Sequence, residues 1–160
     1  MKKILLLAAL IITSQSMVLA QKENAIKEAD VPVRFVKDFQ NSNHDAKNVS
    51  WTVTTDSIYY TATFINTDGD LQATRFSNKG TEKRYFVDPA YYPHAIIDSV
   101  AHLYPSHKIT TVYIRDLKGK MTYQARIART KGFLFWRRET DVKTISFETN
   151  CKLIEVVDEI

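Results

Sequence analysis

Two kinds of periodicity divide the chain. Phe35, Val36 and Phe39 recur at helical spacing between about Pro32 and Asn41, and Ile96, Ile97, Val100, Leu103 and Tyr104 do so between about Pro93 and Tyr104. Each stretch predicts a short amphipathic helix with one apolar stripe. Proline suits such a start, because its missing N–H would have no partner there anyway, and Asp30 is placed to cap the first helix. Elsewhere the period is two. Val49, Trp51 and Val53 alternate with Ser50 and Thr52; Ile58, Tyr60, Ala62 and Phe64 with Tyr59, Thr61 and Thr63; Tyr123, Ala125 and Ile127 with Thr122, Gln124 and Arg126. Alternation of this kind predicts antiparallel strands with one packed face and one wet face. Trp51, Tyr60, Phe64 and Tyr123 fall on the packed side, under the helices. Gly69, Gly80, Gly119 and Gly132 each sit between two alternating runs and read as strand connections. Asp68-Gly69 is the strongest of these signals, since both residues tolerate positive φ.

The N-terminus carries a different pattern. Met1-Lys2-Lys3 precedes an unbroken apolar run from Ile4 to Ile12, and Val18-Leu19-Ala20 precedes a polar Gln21. Basic start, apolar centre and small residue at the end make a cleavable export signal. The apolar run is shorter than the roughly 20 residues that span a bilayer, so no membrane span is expected. Cleavage is expected after Ala20. No Cys stands at the cleavage site, which excludes a lipoprotein anchor. The compact Lys-Lys start is bacterial in style, and the expected compartment is the periplasm.

Composition narrows the function classes. Of the 160 residues, 44% are apolar and 25% charged, ordinary for a globular chain. Removing Lys2 and Lys3 with the leader leaves 20 basic against 18 acidic residues, a net charge of +2. That balance offers no argument for a nucleic-acid partner or an acidic membrane. The lone Cys151 excludes an intramolecular disulfide framework and a zinc site built on several cysteines.

The runs also repeat. Val31-Pro32 matches Tyr92-Pro93, and Tyr60-Thr61-Ala62 matches Tyr123-Gln124-Ala125. The reading is an α+β fold of tandem duplicated units, each a helix followed by about four antiparallel strands. The expected map is a signal peptide over 1–20, an N-terminal extension over 21–30, a first repeat over 31–88 and a second over 89–160. Strands are expected near 47–55, 57–65, 71–77 and 81–87, then near 108–115, 120–129, 142–148 and 152–157. The second half carries an insertion around 131–139.

The run Asp30-Val31-Pro32, Val36, Phe39, Ala46-Lys47-Asn48-Val49-Ser50-Trp51, Tyr60-Thr61-Ala62-Thr63-Phe64 and Arg75-Phe76-Ser77 resembles the PepSY-like periplasmic proteins of Bacteroidetes. Those are grouped with the β-lactamase-inhibitor-protein-like fold. Tyr92-Pro93, Ile97, Val100, Tyr104-Pro105, Lys108-Ile109 and Tyr123-Gln124-Ala125 carry the same resemblance in the second half. It covers about Val31 to Val157 and implies that fold and, by analogy, protein or peptidase binding. The chain departs from the inhibitor protein in lacking its disulfides.

Catalytic chemistry finds little support. His94 and His102 lie two helical turns apart, too far to share an ion, and Pro105 separates His102 from His107. With His44, these read as surface or helix-end residues. No His-Glu-x-x-His or Gly-x-Ser-x-Gly pattern occurs, so no enzyme is expected. Cys151 reads as structural, because no His or Asn is placed by the local sequence to activate a thiolate. Asn66, Asp68 and Asp70 share the alternate spacing of calcium loops, but Leu71 and Ser77 occupy the positions where such a loop needs Gly and Glu. A hairpin turn accounts for them, with calcium as the weaker reading.

Two surfaces remain for recognition. One is the wet sheet face carrying Tyr59, Thr61, Thr63, Thr122, Gln124 and Arg126, where rigid Tyr and short polar groups give contact at small entropic cost. The other is the insertion Gly132-Phe133-Leu134-Phe135-Trp136-Arg137-Arg138, in which Phe135, Trp136, Arg137 and Arg138 have hot-spot chemistry. The expected function is an exported, non-enzymatic binding protein whose partner is an envelope or secreted protein. A calcium- or small-ligand-responsive sensor is the alternative.

Overall fold

Alternating stretches from one end of the chain to the other join into a single sheet. A computed structural model of the chain describes residues 23–132 and 138–159. The strands are β1 (Glu23–Ile26), β2 (Lys47–Thr54), β3 (Tyr60–Ile65), β4 (Leu71–Ser77), β5 (Gly80–Phe86), β6 (Lys108–Leu117), β7 (Lys120–Lys131), β8 (Arg138–Phe147) and β9 (Leu153–Glu159). They lie side by side in sequence order, each antiparallel to the next. Two helices, α1 (Val33–Ser42) and α2 (His94–Leu103), are the only α-helices among the described residues.

This corrects the expected fold class. The chain is not a tandem of helix-plus-sheet units but mostly one nine-stranded antiparallel sheet with two ten-residue helices. The ladder does not stop at midchain. β5 pairs with β6 from Glu82 opposite Leu117 to Phe86 opposite Tyr113. Period-two patterning identifies strands but is silent on whether the last strand of one run pairs with the first of the next. The stretch expected as an extension supplies a ninth strand, because Glu23 to Ile26 pairs with Thr54 to Trp51 of β2. Nor does Asp30 cap α1: it closes a 3-10 turn, and Pro32 takes the cap position without a side-chain bond.

The apolar parity of the strands packs against the helices. Phe35 and Phe39 of α1 meet Trp51, Ala62, Phe64 and Phe76, and Tyr60 packs at the margin of that cluster. Ile96 and Val100 of α2 meet Val112, Ala125, Ile127, Ile145 and Phe147, with Tyr123 and Cys151 at the edge. Both clusters lie on one face of the sheet, so the polar parity is turned to the other. The Asn66–Asp70 turn closes on itself: Asn66 Oδ1 accepts from the Asp70 N–H at 2.8 Å, and the Asn66 N–H donates to the Asp70 carbonyl at 3.0 Å.

β9 is an edge strand that exposes Leu153, Ile154, Val156 and Val157. Lys152, Glu155, Asp158 and Glu159 interrupt that apolar surface. Charges so placed discourage edge-to-edge association.

Candidate functional site

The polar face expected to be wet is the concave face of a curved sheet. Register shifts occur in the β2–β3, β6–β7, β7–β8 and β8–β9 pairings. Each inserts unmatched backbone into one strand, which bends it and raises the local twist. Asn48 and Asp141, with φ of 54° and 50°, stand in two of these irregularities. The resulting bend brings residues of both edge strands, Glu23 of β1 and Glu155 and Glu159 of β9, onto one cavity of about 490 Å³.

Cross-strand register explains what lies beneath that cavity. Thr61 stands opposite Arg75, and Arg75 opposite Glu82. Arg84 stands opposite Arg115, and Arg115 opposite Thr122. Tyr113, Gln124, Ser146 and Glu155 form a row across β6 to β9, and Thr111, Arg126, Thr144 and Val157 form the next. Directly opposed residues point to the same face, so these side chains converge over the concavity. Four arginines and five carboxylates are among the lining.

Like charges opposed across a sheet repel, and Glu82 relieves that repulsion between Arg84 and Arg115. Its Oε1 accepts from Arg84 Nε at 2.7 Å and its Oε2 from Arg115 Nε at 2.8 Å. Burial pushes the Glu82 carboxyl up, but the two guanidiniums together outweigh that and hold it below its ordinary value. Arg84 has only 7% of its side chain exposed. Its centre lies 5.1 Å from that of the Tyr113 ring, whose hydroxyl is pushed up by burial. Arg75 stacks on Tyr59 at 3.8 Å, and burial together with the Arg84 charge pulls it below its usual value.

At the other end, Arg126 is held on three sides. Its Nη1 donates to Glu139 Oε2 at 2.8 Å and to Thr110 Oγ1 at 3.1 Å, and its Nε donates to Glu159 Oε2 at 3.2 Å. Gln124 donates to Thr122 at 3.3 Å and accepts from Ser146 at 3.1 Å. Glu155 Oε1, 3.3 Å from the Ser146 hydroxyl, is the alternative acceptor for its one proton.

Of the residues expected on the wet face, Tyr59, Gln124 and Arg126 line the cavity. Thr61 is fully buried in the floor, Thr122 and Gln124 are buried, and Thr63 is half-buried two residues along β3. The middle of the face is therefore polar but sheltered, while Glu155, Val157 and Asp158 at its β9 margin stay exposed. Arg138 is exposed at the start of β8. Phe135, Trp136 and Arg137 lie outside the described residues, as do the leader and its cleavage site.

Sequence reading missed Arg75, Arg84, Arg115 and Glu82. Glu82 and Arg84 sit in a strand whose alternate positions, Thr81, Lys83 and Tyr85, are polar or amphipathic too, so no apolar parity marks a buried side. One signal was present: Arg75, Glu82, Arg84, Arg115 and Arg126 all fall on the polar parity of their strands.

The histidines need one correction. His107 is buried, packed edge-on against Tyr104 with ring centres 5.5 Å apart. Its Nε2 lies 3.2 Å from Asp141 Oδ2, outside hydrogen-bond geometry. Asp141 instead bonds Lys143 Nζ at 3.0 Å, which holds its carboxyl below the ordinary value. Among the described residues no group of three or more His, Cys, Asp or Glu side chains is placed to hold a metal. The turn bonds already use Asn66 Oδ1 and leave Asp68 and Asp70 at the surface.

No family model matches the chain, and no curated protein matches it either. The PepSY-like resemblance therefore rests on the residue pattern. Two solved structures are similar. One, provisionally described as a calcium-regulated periplasmic protein from Bacteroides thetaiotaomicron, is 22% identical, covering 84% of this chain and 96% of its own, with a TM-score of 0.31. The other, provisionally described as a periplasmic protein of the DUF2874 family from Bacteroides vulgatus, is 21% identical, covering 87% of this chain and 99% of its own, with a TM-score of 0.32.

Proposed function

We propose that the chain is an exported, non-enzymatic binding protein of the periplasm whose recognition site is the concave polar face of the sheet. The leader pattern from Met1 to Ala20 supports export. The observation that carries the binding role is the cavity of about 490 Å³ floored by sheltered charge. Its volume falls in the range of about 300–1,000 Å³ common to ligand sites. Its charged groups are held by rigid strands rather than by loops, which lowers the ordering cost of binding. The ion pairs also fix guanidinium and carboxylate groups in place before a ligand arrives.

Thr111→Trp tests this reading. Thr111 lines the cavity and is half-buried, so an indole there occupies the space a ligand needs. Lys83→Glu, exposed on the opposite parity of β5, serves as the control. Immobilised wild type and Lys83→Glu should retain the same components of the native envelope fraction, and Thr111→Trp should lose them. Equal retention by all three would refute the concave face as the recognition site.

A further inference from the structure

We infer that the cavity binds a zwitterionic ligand of the amino-acid or short-peptide type, its carboxylate on the Arg84–Arg115 end and its ammonium toward Glu155; this rests on the concave face being the recognition site. Arg84 carries the argument. Its side chain is more than nine-tenths buried, yet only its Nε has an acceptor among the described residues, in Glu82. Its two terminal nitrogens make no hydrogen bond to a described residue, and neither is a fully buried unpaired atom, so the fork is open to solvent where Arg84 lines the cavity. Arg115 repeats the arrangement, with Nε on the other oxygen of Glu82. Donors that face the cavity instead of a protein acceptor are free to meet a ligand's oxygens. Two such forks side by side match the two oxygens of a planar carboxylate, which accepts parallel charge-assisted bonds.

The far wall decides against a phosphate or other polyanion. Five carboxylates line the cavity against four arginines, so a dianion would meet net negative charge. Glu155 stands exposed at the rim, where its one neighbour within bonding distance among the described residues is the Ser146 hydroxyl, and its lone pairs suit an ammonium group. Glu155 on β9 stands in the row of Tyr113, three strand spacings or about 14 Å across the sheet, and Arg115 lies two residues farther along β6. An extended tripeptide covers about 10 Å, which sets the length of ligand the test uses.

The test is a titration of the mature chain with a tripeptide library in three forms: free termini, C-terminal amide and N-acetyl. The readout is the side-chain Nε–H resonances of the arginines. The free library should shift the Arg84 and Arg115 signals. Amidation should weaken binding about tenfold or more, since one bidentate charged contact is lost. N-acetylation should weaken it by a smaller factor, and inorganic phosphate should shift nothing. Arg84→Gln should abolish the effect; Arg115→Gln, at a one-third exposed position, gives the same readout if Arg84→Gln does not fold.

Equal binding of the amide would overturn the carboxylate assignment, and equal binding of the N-acetyl form would overturn the zwitterion. Phosphate competing with the library would assign a general anion site instead. If no form binds while Thr111→Trp still loses its envelope components, this inference falls and the concave face stands as a site for a different ligand. If no form binds and Thr111→Trp loses nothing, both fall.

Discussion

Replacing Glu82 by alanine should cost about 3–5 kcal/mol of folding stability, the range for removing one partner of a buried ion pair. The side chains of Glu82 and Arg84 are 11% and 7% exposed. Alanine would leave Arg84 buried opposite Arg115 and beside Arg75 with no anion between them. Urea unfolding of wild type and variant measures the loss. Replacing Arg84 by methionine in the same chain should restore most of it, because the stranded charge is then gone. A cost below about 1 kcal/mol for Glu82→Ala would show that the guanidiniums do not depend on this carboxylate.

The same pair sets an acid limit. Glu82 is held below its ordinary value of 4.5. A carboxylate with a depressed folded-state pKa contributes stability that is complete above its unfolded value and fades as pH falls through the folded one. Stability should therefore decline from about pH 4.5 downward, and Glu82→Gln should flatten that part of the profile. An unchanged acid limb in Glu82→Gln would assign the acid sensitivity to other carboxylates.

The second large effect lies under α1. Trp51 is 4% exposed. Its ring meets Phe39 edge-on at 5.5 Å and Phe76 at 5.9 Å, and its Nε1–H reaches Glu28 Oε2 at 3.4 Å. Phe39 in turn packs edge-on against Phe64 at 5.2 Å. Trp51→Ala removes the centre of this aromatic cluster and should cost about 3–5 kcal/mol. Trp51→Phe should cost less, since it keeps a ring against Phe39 and Phe76. Denaturant midpoints at matched slopes measure both, and a loss under about 1 kcal/mol for Trp51→Ala would contradict its place in the core.

Much of this core is legible in sequence. The stripe of Phe35 and Phe39 and the alternation through Trp51, Ala62 and Phe64 say which residues meet, because helical and strand periods fix their faces. Ile96 and Val100 over Ala125 and Ile127 follow from the same rule. The single sheet is not legible. Pairing of β5 with β6 joins residues some 30 positions apart, and nothing in either strand alone encodes the partner. β1 is too short, and Glu23-Asn24-Ala25-Ile26 too polar, to announce a strand.

The candidate site is half legible for a related reason. Alternation puts Tyr59, Gln124 and Arg126 on one parity, and all three line the cavity. It cannot report curvature, which comes from bulges where the register slips, at positions such as Asn48 and Asp141. Curvature is what shelters Arg84 and brings Glu155 around to face the arginines. A flat sheet with the same residues would present solvated charges and no cavity.

The central claim is that recognition occurs on the concave face, and a residue-resolved binding map tests it most directly. Amide and arginine side-chain spectra of labelled mature protein, recorded with the components eluted from the wild-type capture, supply that map. Perturbations concentrated at Arg84, Tyr113, Arg115, Gln124 and Ser146, with α1 and α2 unchanged, are the predicted result. Perturbations confined to the helices or to the exposed edge of β9, with those five residues unmoved, would contradict it.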